Sequence, residues 1–220
     1  MTLRDEPEHH ELRSRQLLHR GWVWNLVDDE VEYGGDVMHR EYVDHTSAVA
    51  VLAINEQDEV LLIQQYRHPV HARNWEIPAG LLDGGPEESP LVAAQRELAE
   101  EAGLQASQWW LLHDFWNSPG GSNESIRIYL ARDLRPSPLE FERHLEEADI
   151  ETRWVALDEA IDAILAGDLH NPALLQALLV ANESRRRGWS TLRDAATTPW
   201  PTRSPGPEVT PRALEGGRRA

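Results

Sequence analysis

One segment limits what this chain can be more than any other: Arg96-Glu97-Leu98-Ala99-Glu100-Glu101-Ala102-Gly103-Leu104. Ser89 is placed to cap a helix, Pro90 suits its first position and Gly103 suits its end, so the pattern predicts a helix over 89–102. Glu97 and Glu100 are three residues apart, and Glu97 and Glu101 four apart. On a helix those spacings put all three carboxylates on neighbouring positions of one side. Leu91, Leu98 and Ala102 fall roughly opposite and are expected to face a core. Clustered anions repel one another, and Arg96 brings one positive charge to three negative ones. Two readings stand at this point. An acidic helix face is ordinarily solvated surface. Alternatively, a hard divalent cation with oxygen ligands neutralises the cluster and takes phosphate oxygens as further ligands.

The rest of the composition narrows the partners. The chain has 220 residues, enough for one sizeable core or a compact domain with appendages. Its net charge is −17, which argues against a nucleic-acid surface. A small diphosphate can still bind an acidic protein if metal ions mediate the contact. There is no cysteine, hence no disulfide and no thiolate metal site. No apolar run reaches the roughly 18 residues of a membrane-spanning helix. The polar stretch Met1–Arg20 lacks the apolar centre of a secretory signal. A cytoplasmic protein without membrane contact is therefore expected. Nine tryptophans are read first as packing area, with base stacking as the sharper alternative.

Along the chain, residues 1–19 read as a poorly ordered or helical lead-in. Strands are expected over 22–32 and 37–43, joined at the Gly34-Gly35 turn. The apolar run 47–54 and the run 59–66 flank a polar turn and read as a second hairpin. A short strand over 75–79 precedes the helix. Further strands are expected near 109–114, 125–131 and 150–156, with helices over 158–166 and 172–187. The Pro-, Gly- and Thr-rich end reads as a disordered tail. The expected division is an N-terminal extension over 1–46, a main domain over 47–195 and a tail over 196–220. Helices interspersed among groups of strands predict an α+β fold with a mixed sheet.

Gly80, Glu88 and the segment Arg96–Leu104 together resemble the Nudix box. Glu88 and Arg96 are separated by seven residues, as in the box. Gly80 and Glu88 are also separated by seven, where the box has five. The two extra residues lie in the loop before the helix, where insertion is tolerated best, and leave open which of Glu87 and Glu88 fills the box position. The resemblance implies a Nudix-type mixed β-sheet sandwiched between helices, with the N-terminal β-hairpin as an extension. It implies metal binding by Glu97, Glu100 and Glu101 and by the backbone carbonyl of Ala79, with Mg²⁺ the usual ion and Mn²⁺ a substitute. Arg96 would orient a glutamate by charge-assisted hydrogen bonds.

Outside the box, Gln64-Gln65-Tyr66-Arg67, Trp75-Glu76-Ile77-Pro78-Ala79-Gly80 and Ser118-Pro119-Gly120-Gly121-Ser122-Asn123-Glu124 resemble the ADP-ribose pyrophosphatase branch. The branch implies cleavage of a nucleotide sugar, ADP-ribose, to AMP and ribose 5-phosphate. Substrate contacts are then expected from Arg67, Trp75, Glu76, Gly120 and Glu124. A guanidinium fork suits phosphate, although a lone arginine is as readily a surface ion pair. Trp75 is as readily packing beneath the loop. A mobile acidic loop supplies the base in this branch; the matching residues are Glu146 and then Glu147, with Glu100 also counted among the catalytic carboxylates. Glu146 and Glu147 also read as plain solvated loop charge. The hairpin over 20–43 resembles the part this branch uses to form a homodimer, with Trp22, Trp24, Val27 and Tyr33 supplying apolar area. Competing readings are a pyrophosphatase for GDP-mannose or UDP-glucose, a non-catalytic Nudix-fold regulator, and an acidic interaction protein.

Overall fold

The structure is a computed structural model that describes residues 2–82, 88–139, 141, 149–204 and 206–212. It divides into two compact units: residues 1–46, 118–124 and 204–220, and residues 47–117 and 125–203. Among the described residues, no helix is long and apolar enough to cross a membrane.

The first unit is an antiparallel sheet of β1 (Leu12–Arg20), β2 (Asn25–Tyr33) and β3 (Asp36–Asp44), in that order. Gly34 and Gly35 both have positive φ, as a two-residue hairpin turn between β2 and β3 requires. The expected helical or disordered lead-in is corrected here, because 12–20 pairs along β2. Its leucines, Leu12, Leu17 and Leu18, do not alternate along it, so no apolar period marks it. The strand is held by side chains instead. Arg15 on β1 forks onto the Asp29 carboxylate at 2.7 and 2.8 Å and donates to the Tyr42 hydroxyl at 2.7 Å. One charge-assisted network thus crosses all three strands.

The expected disordered tail is also corrected for its described part. Asn25 donates to the Val209 carbonyl, Arg20 to the Thr210 carbonyl, and the Arg212 N–H to the Gly21 carbonyl. In the second unit, Thr198, Pro199 and Trp200 are engaged by Arg127 and Ser125. These partners lie far away in sequence, and no local pattern announces them.

The second unit holds a five-stranded mixed sheet and a three-stranded antiparallel one. The former runs β11 (Arg193–Asp194), β8 (Leu104–Trp116), β9 (Ser125–Pro136), β4 (Ala48–Ala53), β7 (Ala79–Leu81). The latter runs β10 (Glu151–Ala156), β5 (Glu59–Arg67), β6 (Ala72–Glu76). The expected hairpin over 47–66 is corrected: β4 pairs in parallel with β9 and antiparallel with β7, while β5 pairs with β10 and β6. Every residue of β4 is buried. A strand apolar on both faces needs cover on both, which a two-stranded hairpin lacks.

The alternation of β4 divides the core. Ala48, Ala50 and Leu52 pack with Leu174, Ala177 and Leu178 of α3 (Pro172–Arg186) and Leu157 and Ala160 of α2 (Leu157–Ala166). Val49, Val51 and Ala53 pack with Ala93, Ala94 and Leu98 of α1 (Pro90–Ala102). The sheet is thus sandwiched between helices, in an α+β architecture. Trp75, Trp109, Trp110, Trp189 and Trp200 pack against these cores, as the packing reading of tryptophan expects.

Candidate metal and diphosphate site

Helix α1 is fixed at both ends as its sequence predicts. The Ser89 side chain accepts from the Val92 N–H, Pro90 opens the first turn, and Gly103 closes the helix with its N–H on the Ala99 carbonyl. Its inward face carries Ala93, Ala94 and Leu98, and also two acids: Glu97 and Glu101 are each only 7% exposed. The solvated-face reading fails for these two. They sit beside the apolar positions, turned toward the edge strand β7.

The contact with β7 is close. The Glu101 carboxylate accepts from the Ala79 N–H at 2.8 Å. The Glu97 carboxylate lies against Gly80, where a Cβ would collide with its Cδ and both oxygens. Glycine is needed there for approach, not for turn geometry. Arg96 then ties the surrounding acids together. Its Nε donates to Glu88 at 2.9 Å, one terminal nitrogen donates to Glu97 and, at 3.4 Å, to Glu100, and the other donates to the Leu81 carbonyl. Glu88 thus meets the box arginine across the longer loop, and Glu87 lies outside the described residues.

Glu88, Glu97 and Glu100 bring three carboxylates to one guanidinium, and Glu101, on the same helix, accepts from the Ala79 N–H. Hard oxygen donors in that excess suit a divalent cation. Among the described residues, no three carboxylate or imidazole groups converge into a complete coordination cage. The fit to a metal rests on buried anions set against an edge strand, not on a formed shell.

The other sequence candidates fall into separate places. Arg67 and Glu76 grip each other in a bidentate pair at 2.8 and 2.7 Å, and Gln65 also reaches Glu76. Glu76 is 3% exposed, whereas the Arg67 side chain is 41% exposed. A buried carboxylate thus holds an accessible guanidinium in a fixed direction. Trp75, one residue earlier on β6, faces the other way. It lines a cavity of about 200 Å³ with Leu62, Val155 and Ala160. Gly120 and Glu124 belong to the first unit, not to the unit that holds α1. Gly120 is exposed; Glu124 lies 3.6 Å from the His45 imidazole. Glu146 and Glu147 lie outside the described residues.

Two features escaped the sequence reading. Arg127 on β9 is 3% exposed and forks onto Asp114 of β8 at 2.8 and 2.9 Å. A charge inside the apolar run 125–131 was the visible signal. The other is Asn123, whose side chain joins the end of β3 to the 118–124 loop.

The family model described as NUDIX domain matches residues 44–178. The chain is 42% identical over 170 residues to an ADP-ribose pyrophosphatase of Mycobacterium tuberculosis (strain ATCC 25618 / H37Rv), covering 77% of this chain and 81% of that one. It is 33% identical over 167 residues to an ADP-ribose pyrophosphatase of Bacillus subtilis (strain 168), covering 75% and 88%. A solved structure described as an ADP compounds hydrolase superposes with a TM-score of 0.69 at 22% identity, over 84% of this chain and 99% of that one. The last likeness bears on the fold.

Proposed function

The chain belongs to the Nudix family, and we propose that it hydrolyses the diphosphate of ADP-ribose to AMP and ribose 5-phosphate. The observation that carries this is the burial of Glu97 and Glu101 against Ala79 and Gly80. Two relatives, at 42% and 33% identity, bear the name ADP-ribose pyrophosphatase, which supports the choice of substrate.

Glu97, Glu100, Glu101 and the Ala79 carbonyl would hold divalent metal, with Mg²⁺ the natural ion and Mn²⁺ a substitute. When bound, such an ion polarises phosphoryl oxygens and lowers the pKa of a coordinated water. Arg96 keeps Glu88, Glu97 and Glu100 in place through its donors. Arg67, aimed by Glu76, meets the diphosphate; Gly120 and Glu124 meet the ribose end. Trp75 is a further substrate contact, from the cavity it lines. Water attacks one phosphorus, the bridging P–O bond breaks, and the water's proton passes to Glu146, or to Glu147 beside it in sequence. Each phosphate leaves with one half of the substrate, which accounts for both products.

Assembly as a homodimer through the N-terminal sheet, and a cytoplasmic location, are parts of the same proposal. Trp22, Trp24 and Tyr33 are 65%, 42% and 54% exposed, a surface suited to a second copy. Val27 is buried within its own chain at 3% exposure and contributes nothing there.

The test is product analysis of the purified protein with Mg²⁺ against ADP-ribose, GDP-mannose, UDP-glucose, diadenosine polyphosphates and NADH. AMP and ribose 5-phosphate from ADP-ribose, abolished by chelator, is the expected result. Faster cleavage of another member replaces the substrate, and no metal-dependent cleavage of any member overturns the proposal.

A further inference from the structure

The 118–124 loop is fastened to the end of β3. The Val43 N–H donates to the Gly121 carbonyl at 2.9 Å, and the Asn123 N–H donates to the Val43 carbonyl at 3.2 Å. The Asn123 side chain adds three more bonds. Its Oδ1 accepts from the His45 N–H at 2.7 Å, and its Nδ2 donates to the Asp44 carboxylate at 2.6 Å and to the Ser204 hydroxyl at 3.0 Å. A primary amide has two donor hydrogens and one carbonyl oxygen, so all are used. The partners are buried: Asp44 is 2% exposed, His45 7% and Ser204 8%.

Glu124 is the next residue. Its N–H donates to the Ser122 hydroxyl at 3.1 Å, and its carboxylate lies 3.6 Å from the His45 imidazole. That distance is beyond a hydrogen bond. Burial also lowers the pKa of His45, against the opposing pull of Glu124 and Asp44, which weakens the imidazole as a charge partner near neutral pH. The loop backbone fixes the position from which the Glu124 side chain extends.

We infer that Asn123 is a positioning residue for substrate: its amide locks the end of the loop to Asp44, His45 and Ser204, and so sets where the Glu124 carboxylate stands. This rests on the proposal that Glu124 contacts substrate. Aspartate is a poor replacement, because it loses both donors and sets a second carboxylate against Asp44. Glutamine adds a methylene to a site in which every bond is made.

Steady-state kinetics of the full chain with ADP-ribose test the inference, with thermal melts run alongside. Glu124→Gln and Asn123→Ala are each expected to raise KM about tenfold, the scale on which supporting hydrogen bonds act. Their kcat should stay within about threefold, because a lost binding contact acts on KM. The double variant should match the single ones, since Asn123 acts through Glu124. Asn123→Ser keeps an acceptor for His45 and loses the Nδ2 donors; it carries the test if the alanine variant fails to fold. A raised KM in Glu124→Gln with an unchanged KM in the Asn123 variants overturns the inference alone. Independent, multiplying effects in the double variant overturn it as well. An unchanged KM in Glu124→Gln overturns the substrate role of Glu124, and the inference with it.

Discussion

Two guanidinium groups in the second unit invite comparison. Arg127 meets one carboxylate, Asp114, through both of its prongs. Its remaining donors reach the carbonyls of Thr198 and Pro199, and the Trp200 ring lies over it at 4.8 Å. Charge there is balanced one to one. Arg96 meets Glu88, Glu97 and Glu100, with Glu101 close by on the same helix. Among the described residues, the acids of this cluster outnumber its guanidinium. A buried pair in balance contributes to the folded state and is costly to break on one side. A buried group with surplus anions is held against its own repulsion, and a cation relieves it. The proposed metal-binding role of the second cluster rests on this difference.

Breaking each cluster on its acidic side should give opposite results. Glu97→Gln and Glu101→Gln are expected to lower kcat by more than about a hundredfold, since even outer partners of metal ligands cost up to that much. Their melting temperature should hold or rise, because an anion is removed from a repelling cluster. A large loss of stability in either would return these acids to a structural role. Asp114→Asn should do the reverse. It leaves a buried cation without its countercharge and should cost about 3–5 kcal/mol in denaturant unfolding, while the folded fraction keeps its turnover. Gly80→Ala falls between the two, pushing the Glu97 carboxylate aside and lowering turnover more than stability.

Acid should sharpen the same contrast. His113, next to Asp114 on β8, has its pKa lowered by burial, with Asp114 raising it and Arg193 lowering it further. Below its ordinary value of 6.5, the unfolded chain binds the proton more readily than the folded one. Stability therefore falls as pH drops through that window and is regained as pH rises. His45, buried between Asp44 and Glu124, adds in the same direction. Melting curves across this range should show the slope, and His113→Gln should flatten it. The smallest effect belongs to an exposed pair. Arg153 and Glu159 are 57% and 58% exposed, and Arg153→Ala should change stability by about 0.5 kcal/mol or less.

What the sequence disclosed follows from where each signal resides. Helix α1 was legible because its caps and its acids are local. So was most of the box, since Gly80, Glu88 and Arg96 meet through one helix and one short strand. The burial of Glu97 and Glu101 was not legible, because helical spacing does not say how deep a side lies. β4 and β5 read as a hairpin because the turn at Asn55–Asp58 is a good one; the choice of β9 as partner is made by a strand some seventy residues on. β1 and the 196–212 segment lack apolar periodicity and are held by arginine and asparagine bonds to distant backbone. Asn123 looked like an ordinary loop residue until its three partners were placed around it.

The most direct test of the central claim is a titration with Mn²⁺, followed by electron paramagnetic resonance, of the native chain, Glu97→Gln, Glu101→Gln and Asp114→Asn. The account predicts that the native chain and Asp114→Asn bind Mn²⁺ alike, and that each glutamate variant binds at least about tenfold more weakly. Equal Mn²⁺ affinity in the native chain and both glutamate variants would contradict it.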